Sequence, residues 1–192
     1  MRDGKTGEQI VDCADDLFYR QGFEATSFAD IAAAVGISRG NFYYHFKAKD
    51  DLLDAVIEAR LAGSRAMLAA WEAETDDPEG RIGCYIRIVT DNQTEIMAYG
   101  CPVGTLTSEL AKLNHQAQGS ANRIFSLFRD WLRAQFERLG CGADADRHAM
   151  HVLAWSQGVA TMANAYRDAD FVRREVAQIS GWLRERAREA AA

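Results

Sequence analysis

Apolar residues recur at three- and four-residue intervals along nearly the whole chain, which is the spacing of one face of an α-helix. Only two prolines occur, so few positions interrupt a helix from within. Hydrophobic residues make up 48% and charged residues 26% of the 192 residues, which is typical of a globular chain and excludes disorder as the main state. The pattern predicts an all-α protein of about nine helices without strands.

Start and stop signals divide this pattern into separate helices. Capping side chains precede four of the helical stretches, at Thr6, Ser27, Ser38 and Asp77. Gly22 and Gly36 stand where two helices should end, because glycine accepts the left-handed conformation found there. The predicted helices span residues 6–21, 28–35, 39–46, 49 to about 73, 79–97, 102–113, 114 or 116 to 139, 144–167 and 170–188.

Composition narrows the classes of protein that the chain can belong to. Unbroken apolar runs, such as that of residues 67–71, are all far short of the about 20 residues of a membrane span, and no secretion signal is recognisable. Four scattered cysteines without a CxxC pair predict reduced thiols and a cytoplasmic protein. The net charge of -6 argues against unspecific coating of nucleic acid but allows a local basic surface.

Two short predicted helices, 28–35 and 39–46, flank a three-residue turn that contains Gly36, which is the spacing of a helix-turn-helix. The second helix of that motif enters the major groove, so its outer side chains must be polar or aromatic. Phe42 and Phe46, four residues apart, are predicted to pack inward. The side chains expected nearer the outer surface are Arg39, Asn41, Tyr43, Tyr44 and His45. Residues 26–49 carry three basic side chains and one acidic one, with Lys47 among the basic residues.

This segment resembles the N-terminal DNA-binding domain of the TetR/AcrR family of bacterial transcriptional repressors. The residues that carry the resemblance are Gly22-Phe23, Ala25-Thr26-Ser27, Asp30-Ile31-Ala32, Ala34-Val35-Gly36-Ile37-Ser38, Gly40, Phe42-Tyr43, His45-Phe46 and Lys49. Ala48 departs from the pattern, since the family often has a capping Ser or Asp there. The resemblance implies a DNA-binding domain over residues 1–48 and a helical ligand-binding and dimerisation domain over 49–192.

The resemblance also assigns roles to matching positions. Contacts to DNA phosphates are expected from Thr26, Ser27, Ser38, Tyr43, His45 and Lys49. Base contacts are expected from Arg39, Asn41 and Tyr44, and Arg and Asn are the side chains that read guanine and adenine. Two subunits would place their recognition helices about 34–36 Å apart on a pseudo-palindromic operator.

The region after residue 49 is expected to hold a small-molecule effector and to form a homodimer. Its helices are rich in aromatic and Met residues with scattered polar groups, which is typical of ligand pockets and equally of an ordinary core. The candidate effector-binding residues are Tyr85, Val89, Cys101, Phe125, Phe128 and Trp155. The last two helices are the candidate dimer face, although packing within one subunit would produce the same periodicity.

Cys101 stands just before a predicted helix that starts at Pro102, where the partial positive charge of the helix terminus favours a thiolate. The sequence Gly-Cys-Pro-x-Gly at this point resembles a pattern in part of the same family, some of whose members sense electrophiles through a cysteine. The chain is therefore interpreted as a repressor released by a small molecule, electrophilic or not, or by modification of Cys101. The alternative role for Cys101 is a buried structural residue.

Two other functions remain as alternatives from the sequence. The first is a helical enzyme with Cys101 as nucleophile and His115 as the nearest base in sequence, although no catalytic motif supports it. The second is an activator, or a regulator without a ligand. His148 and His151 are spaced so that both lie on one face of a helix. Two such histidines can bind a metal ion, or they can belong to a solvated or hydrogen-bonded face. We expect no metal or other cofactor.

Overall fold

A computed structural model of the chain describes residues 2–191, with side chains from Thr6 onward. Within these residues the backbone forms ten α-helices and one 3-10 turn, and no strand, so the predicted all-α fold is confirmed. The helices are α1 (Arg2–Gln21), α2 (Phe28–Val35), α3 (Arg39–His45), α4 (Lys49–Glu74), α5 (Pro78–Asp91), α6 (Gln93–Tyr99), α7 (Pro102–Lys112), α8 (Gln118–Arg138), α9 (Ala145–Tyr166) and α10 (Ala169–Ala190). Met1 and Ala192, the outer ends of the two predicted domains, lie outside the described residues.

The capping signals at the short helices are confirmed. Ser27 Oγ accepts the Asp30 N–H at 3.2 Å, and the Ser27 N–H donates to the Asp30 carboxylate at 2.8 Å, which completes a capping box at α2. Gly36 ends α2 at φ 76°, in the left-handed region. Asp77 accepts two N–H groups of the first turn of α5, where Pro78 is the first helical residue. These contacts join residues two or three positions apart, so the local sequence is sufficient to predict them.

Two predicted helix boundaries are wrong. α1 begins at Arg2 and not at Thr6, because no proline separates the preceding residues from the helix and Thr6 is simply included in it. The predicted helix 79–97 is divided between α5 and α6 at Asn92, whose backbone (φ -109°, ψ 19°) leaves the helical region. Its Nδ2 donates to Ile88 O at 3.0 Å, which competes with the helical backbone hydrogen bonds.

Two further boundaries were left open by the sequence. α4 begins at Lys49 although Ala48 offers no capping side chain, because Asp51 Oδ2 accepts the Ala48 N–H at 3.0 Å. α8 begins only at Gln118, since Asn114 adopts a left-handed backbone (φ 49°) after α7. The intervening turn is closed by His115 Nδ1, which accepts the Ala117 N–H at 3.1 Å.

Packing divides the chain into two compact units. The first unit comprises the chain up to Ser64 together with Pro102–Ile124, and thus contains α1, α2, α3, the first part of α4, and α7. In it α1 packs against α2 and α7, and α2 packs against α3. Its fully buried side chains include Ile10, Ile31, Phe42, Leu52, Leu53, Ile57, Leu61 and Leu110.

The second unit comprises Arg65–Cys101 together with the chain from Phe125 onward. In it α5 packs against α9 and α10, and α6 packs against α9. One apolar cluster joins these helices through Val89, Ile96, Val159, Ala160, Ala163 and Val172. None of the helices in residues 2–191 combines the length and the hydropathy that crossing a bilayer requires.

The predicted histidine pair lies in the second unit, against an aromatic ring. The rings of His148 and His151 lie 5.3 Å and 4.7 Å from the ring of Trp182. Burial lowers the pKa of His148, and the charge of the neighbouring Arg147 adds to this effect. No group of three or more side chains suited to a metal ion converges in the described part of the chain.

A buried arginine donates hydrogen bonds to the end of α4. Arg81 on α5 is only 5% exposed, and its Nε donates to Thr75 O at 2.7 Å while its Nη2 donates to Glu72 O at 2.9 Å. Carbonyl groups in the last turn of a helix have no partner within the helix. Arg81 therefore satisfies carbonyls at the C-terminus of α4, which ends without a glycine cap.

We expect Arg81→Ala to lower the free energy of unfolding by about 3 kcal/mol, because the buried carbonyls would lose a charged donor. The measurement is urea denaturation followed by circular dichroism. Arg147→Ala is the matched control, since Arg147 forms only an exposed ion pair with Asp144 and should cost less than about 0.5 kcal/mol. Equal losses in the two variants would contradict the role assigned to Arg81.

Candidate nucleic-acid interface

α2 and α3 form a helix-turn-helix in the first unit. Residues 36–38 connect them, with Gly36 closing α2 and Ser38 opening α3. Ser38 Oγ accepts the Asn41 N–H at 3.3 Å, which is the N-cap contact expected from the sequence. The turn is therefore defined from both sides by local contacts.

α3 is anchored to the first unit by one aromatic side chain. Phe42 is 1% exposed, and its ring lies 4.6 Å from that of Phe28 on α2. Phe46 follows one turn later, half-buried, with its ring 6.4 Å from Phe42. The inward packing expected of these two phenylalanines is thus present, and it determines which side chains of α3 face outward.

The exposed side chains of α3 form a polar and aromatic surface, here called the reading face: Arg39, Asn41, Tyr43 and Tyr44. Tyr44 is 65% exposed, and its ring contacts the His45 ring edge-on. Tyr43 is 46% exposed, and its ring lies against Phe28 at 5.6 Å, which restricts its position. Lys47 is exposed beyond the end of α3, and its Nζ donates to the Tyr43 carbonyl oxygen.

Three of the side chains proposed to contact DNA make contacts inside the protein. Thr26 is 1% exposed, and its hydroxyl donates to Gly22 O at 2.7 Å. His45 is half-buried, and its buried Nε2 has no hydrogen-bond partner among the described residues. The Lys49 ammonium donates to Glu24 O at 3.1 Å. Sequence position alone does not separate these residues from the exposed reading face.

Two charged groups near the motif have shifted pKa values. Hydrogen bonds from the Ser27 side chain and backbone hold the pKa of Asp30 below its usual range. Burial lowers the pKa of Lys49, and the nearby carboxylates of Glu24, Glu109 and Asp50 oppose that shift. Asp30 therefore stays ionised as the acceptor of the capping box at α2.

One residue of this region carried no signal in the sequence. Glu109 on α7 accepts the backbone N–H of Phe23 at Oε2 and that of Glu24 at Oε1, both at 2.9 Å. The partners are 86 and 85 residues apart in the chain, so no local spacing rule could have indicated the contact.

The candidate effector-binding residues lie in the second unit. Tyr85 is buried, with its hydroxyl 3.3 Å from Ser156 Oγ and its ring 5.4 Å from that of Phe128. Burial raises the pKa of Tyr85 strongly, and the charge of Cys101 adds to the effect. Val89 belongs to the apolar cluster of this unit, and Cys101 and Trp155 pack against it. Phe125 lies half-buried on α8.

An open groove of about 540 Å³ lies on the surface of α9 and α10. Its lining is Trp155, Gln157, Gly158, Val159, Thr161, Met162, Phe171 and Glu175. Met162 and, nearby in sequence, Tyr166 are large apolar side chains that are 40% and 75% exposed. The surface therefore presents apolar side chains beside a groove.

Two family models match the chain. Residues 10–56 match the bacterial regulatory proteins of the tetR family, a range that contains the whole helix-turn-helix. Residues 61–178, more than half of the chain, match the C-terminal domain of LmrA/YxaF-like transcriptional regulators.

Individual proteins agree with the family models. The HTH-type transcriptional regulator TtgR of Pseudomonas putida is 29% identical over 128 residues, 60% of this chain and 59% of that protein. LmrA of Bacillus subtilis, also an HTH-type transcriptional regulator, is 25% identical over 161 residues, 80% of this chain and 82% of that protein. The crystal structure of a TetR-family regulator from Streptomyces coelicolor superposes with a TM-score of 0.83 at 20% identity, covering 96% of this chain and 97% of the other.

For several curated relatives, the matched part of the chain spans only about three fifths of the relative's length. The two family models match consecutive parts of the chain: the tetR-family model matches first, and the model of the C-terminal domain follows it. The family consists of transcriptional regulators and not of enzymes. The chain belongs to the TetR family of bacterial transcriptional regulators and carries an LmrA/YxaF-like C-terminal domain.

Proposed function

We propose that two copies of this chain bind a pseudo-palindromic operator through their reading faces and repress transcription until an effector releases them. The observation that carries the proposal is the exposure of Arg39, Asn41 and Tyr44 on a short helix fixed by Phe42. A helix of this kind fits the major groove of B-DNA, where base edges differ for all four base pairs. A regulator of bacterial transcription meets its operator in the cytoplasm.

Each exposed side chain suits a particular part of the DNA. Arg39 can donate two hydrogen bonds to a guanine, and Asn41 can form a bidentate pair with an adenine. Ser27, Ser38, Tyr43 and Lys47 are exposed residues whose hydroxyl and ammonium groups suit phosphate oxygens. In the absence of DNA the Ser27 hydroxyl donates to Asp30 and the Lys47 ammonium to the Tyr43 carbonyl, and both contacts lie at the surface, where DNA can replace them. Thr26, His45 and Lys49 act mainly as supports of this surface, because their polar groups are buried or engaged inside the protein.

The groove on α9 and α10 supports a homodimer through these two helices. Large apolar side chains such as Met162 and Tyr166 lose contact with water when a second copy covers them. A two-fold dimer buries the same face on both subunits and brings two reading faces to two half-sites one helical turn apart. The symmetry of the protein then explains the symmetry of the operator.

The second unit supplies a chemically suitable effector site. Tyr85, Phe128 and Ser156 combine aromatic surface with two hydroxyls, and Cys101 packs against the apolar cluster of the same unit. An effector can shift the protein away from the DNA-bound state only as far as its affinities for the DNA-bound and DNA-free states differ. Cys101 adds a second route, in which an electrophile forms a covalent bond to the thiol and shifts the same equilibrium.

Tyr44→Ala should weaken operator binding by about tenfold without lowering the melting temperature, because a 65% exposed side chain contributes little to folding. The measurement is fluorescence anisotropy on duplexes that tile the DNA beside the gene, repeated at several salt concentrations. Leu113→Ala is the matched control: it also removes a large exposed side chain of the first unit, but outside the helix-turn-helix, and should leave operator affinity within about twofold. Wild-type affinity in both Tyr44→Ala and Arg39→Ala would contradict the assignment of the reading face.

Iodoacetamide should label Cys101 faster than the other three cysteines, as measured by mass spectrometry of timed digests. Burial raises the pKa of Cys13 and of Cys141, which slows the reaction of both. Cys84 is the informative comparison, because Arg87 Nη2 donates to its sulfur at 3.1 Å. Labelling of Cys101 no faster than that of Cys84, or unchanged operator affinity after labelling, would exclude the covalent route.

A further inference from the structure

The turn that connects α1 to α2, residues 22–27, is held by a carboxylate from a distant helix. Glu109 on α7 accepts two consecutive N–H groups of this turn, those of Phe23 and Glu24, each at 2.9 Å. A carboxylate that accepts backbone N–H groups forms charge-assisted hydrogen bonds, which are stronger than neutral ones. Both N–H groups lie just past the end of α1, and both donate to Glu109 in place of a helical carbonyl.

The approach of Glu109 is close enough to constrain the sequence of the turn. Gly22 has φ +94°, and a Cβ at this position would lie 3.1 Å from Glu109 Oε1. Glycine is therefore needed here for two reasons: it adopts the left-handed backbone, and it leaves room for the Glu109 carboxylate. The contact thus combines a part-buried hydrogen bond to Phe23 with an exposed one to Glu24.

Side chains of α4 and of the residues after α7 also contact this turn. The Lys49 ammonium donates to Glu24 O at 3.1 Å and lies 4.4 Å from the centre of the Phe23 ring. The His115 ring meets the Phe23 ring edge-on at 5.2 Å, and His115 Nε2 is 3.4 Å from a carboxylate oxygen of Asp50. The turn is thus fixed by side chains together with one backbone hydrogen bond of its own, in which the Thr26 N–H donates to Phe23 O at 3.3 Å.

The position of this turn decides where α2 and α3 lie. Thr26, in the same turn, donates to Gly22 O at 2.7 Å, and Ser27 follows as the N-cap of α2. A shift of the turn would therefore move α2, and with it α3, which packs against α2. Among the side chains that contact this turn, those of Glu109 and His115 come from outside residues 1–56.

We propose that Glu109 is a positioning residue for operator binding: its carboxylate holds the α1–α2 turn, and through it the reading face, in the DNA-binding arrangement. This inference rests on the proposed function. If the turn is released, only a fraction of molecules keeps the binding arrangement, and the apparent affinity falls by that fraction. Glu109 itself touches no DNA in this account.

The test compares Glu109→Gln with Glu58→Gln. Glu58 pairs with Arg123 within the same unit, and the two variants lose the same charge, so any general electrostatic gain in DNA affinity is equal in both. Glu109→Gln should weaken operator binding by about tenfold, with the slope of log affinity against log salt unchanged because no phosphate contact is lost. Glu58→Gln should remain within about twofold of the wild type.

Amide hydrogen exchange tests the contact of Glu109 with the turn in the absence of DNA. The Phe23 and Glu24 amides should be protected in the wild-type protein and exchange at least about tenfold faster in Glu109→Gln. The Gly22 amide, which donates to Phe18 O, should keep its rate. Glu109→Asp, which keeps the charge but shortens the side chain, should behave like Glu109→Gln.

Three outcomes would overturn the proposal. The first is rapid exchange of both amides in the wild-type protein, and the second is wild-type operator affinity in Glu109→Gln despite faster exchange. The third is equal loss of affinity in Glu58→Gln. A wild-type protein that binds no operator would instead refute the proposed function, and this inference would fall with it while the exchange data still describe the turn.

Discussion

The burial of Phe42 is the contact on which the exposed surface of α3 depends. A helix of seven residues has almost no stability of its own in water, so α3 exists because its apolar side is held by the rest of the unit. The Phe42 ring is 1% exposed and lies against Phe28. With that side chain fixed inward, helical geometry turns Arg39, Asn41, Tyr43 and Tyr44 toward solvent. The capping contacts of Ser27 and Ser38 then fix where each helix of the motif begins.

Sequence reasoning succeeded where the deciding contact is local. The capping box at Ser27, the end of α2 at Gly36 and the start of α5 after Asp77 all follow from partners within a few residues. It failed at Asn92, where a side chain competes with the backbone inside a helical pattern. It gave no sign of Arg81 or Glu109, because their partners are selected by tertiary packing.

The same distinction applies to the candidate site. Spacing and residue type predicted the reading face, whose contact with DNA stays a prediction, but did not separate exposed side chains from Thr26 and Lys49, whose polar groups are used inside the unit. In the second unit, aromatic periodicity indicated Tyr85, Phe128 and Trp155 without distinguishing an effector site from a core. The Tyr85 hydroxyl lies 3.3 Å from Ser156 Oγ, and Cys101 and Trp155 pack against one apolar cluster, which a core and an effector site have in common, so the effector site stays a prediction.

The central claim is that α3 reads bases through Arg39 and Asn41, and selection of bound duplexes from a random pool tests it most directly. The wild-type protein should enrich one near-palindromic sequence with half-sites one helical turn apart. Asn41→Ala should relax the selected base at one pair of symmetric positions and leave the other positions unchanged. A pool without a shared sequence, or the same sequence selected by the wild-type, Arg39→Ala and Asn41→Ala proteins, would contradict the account.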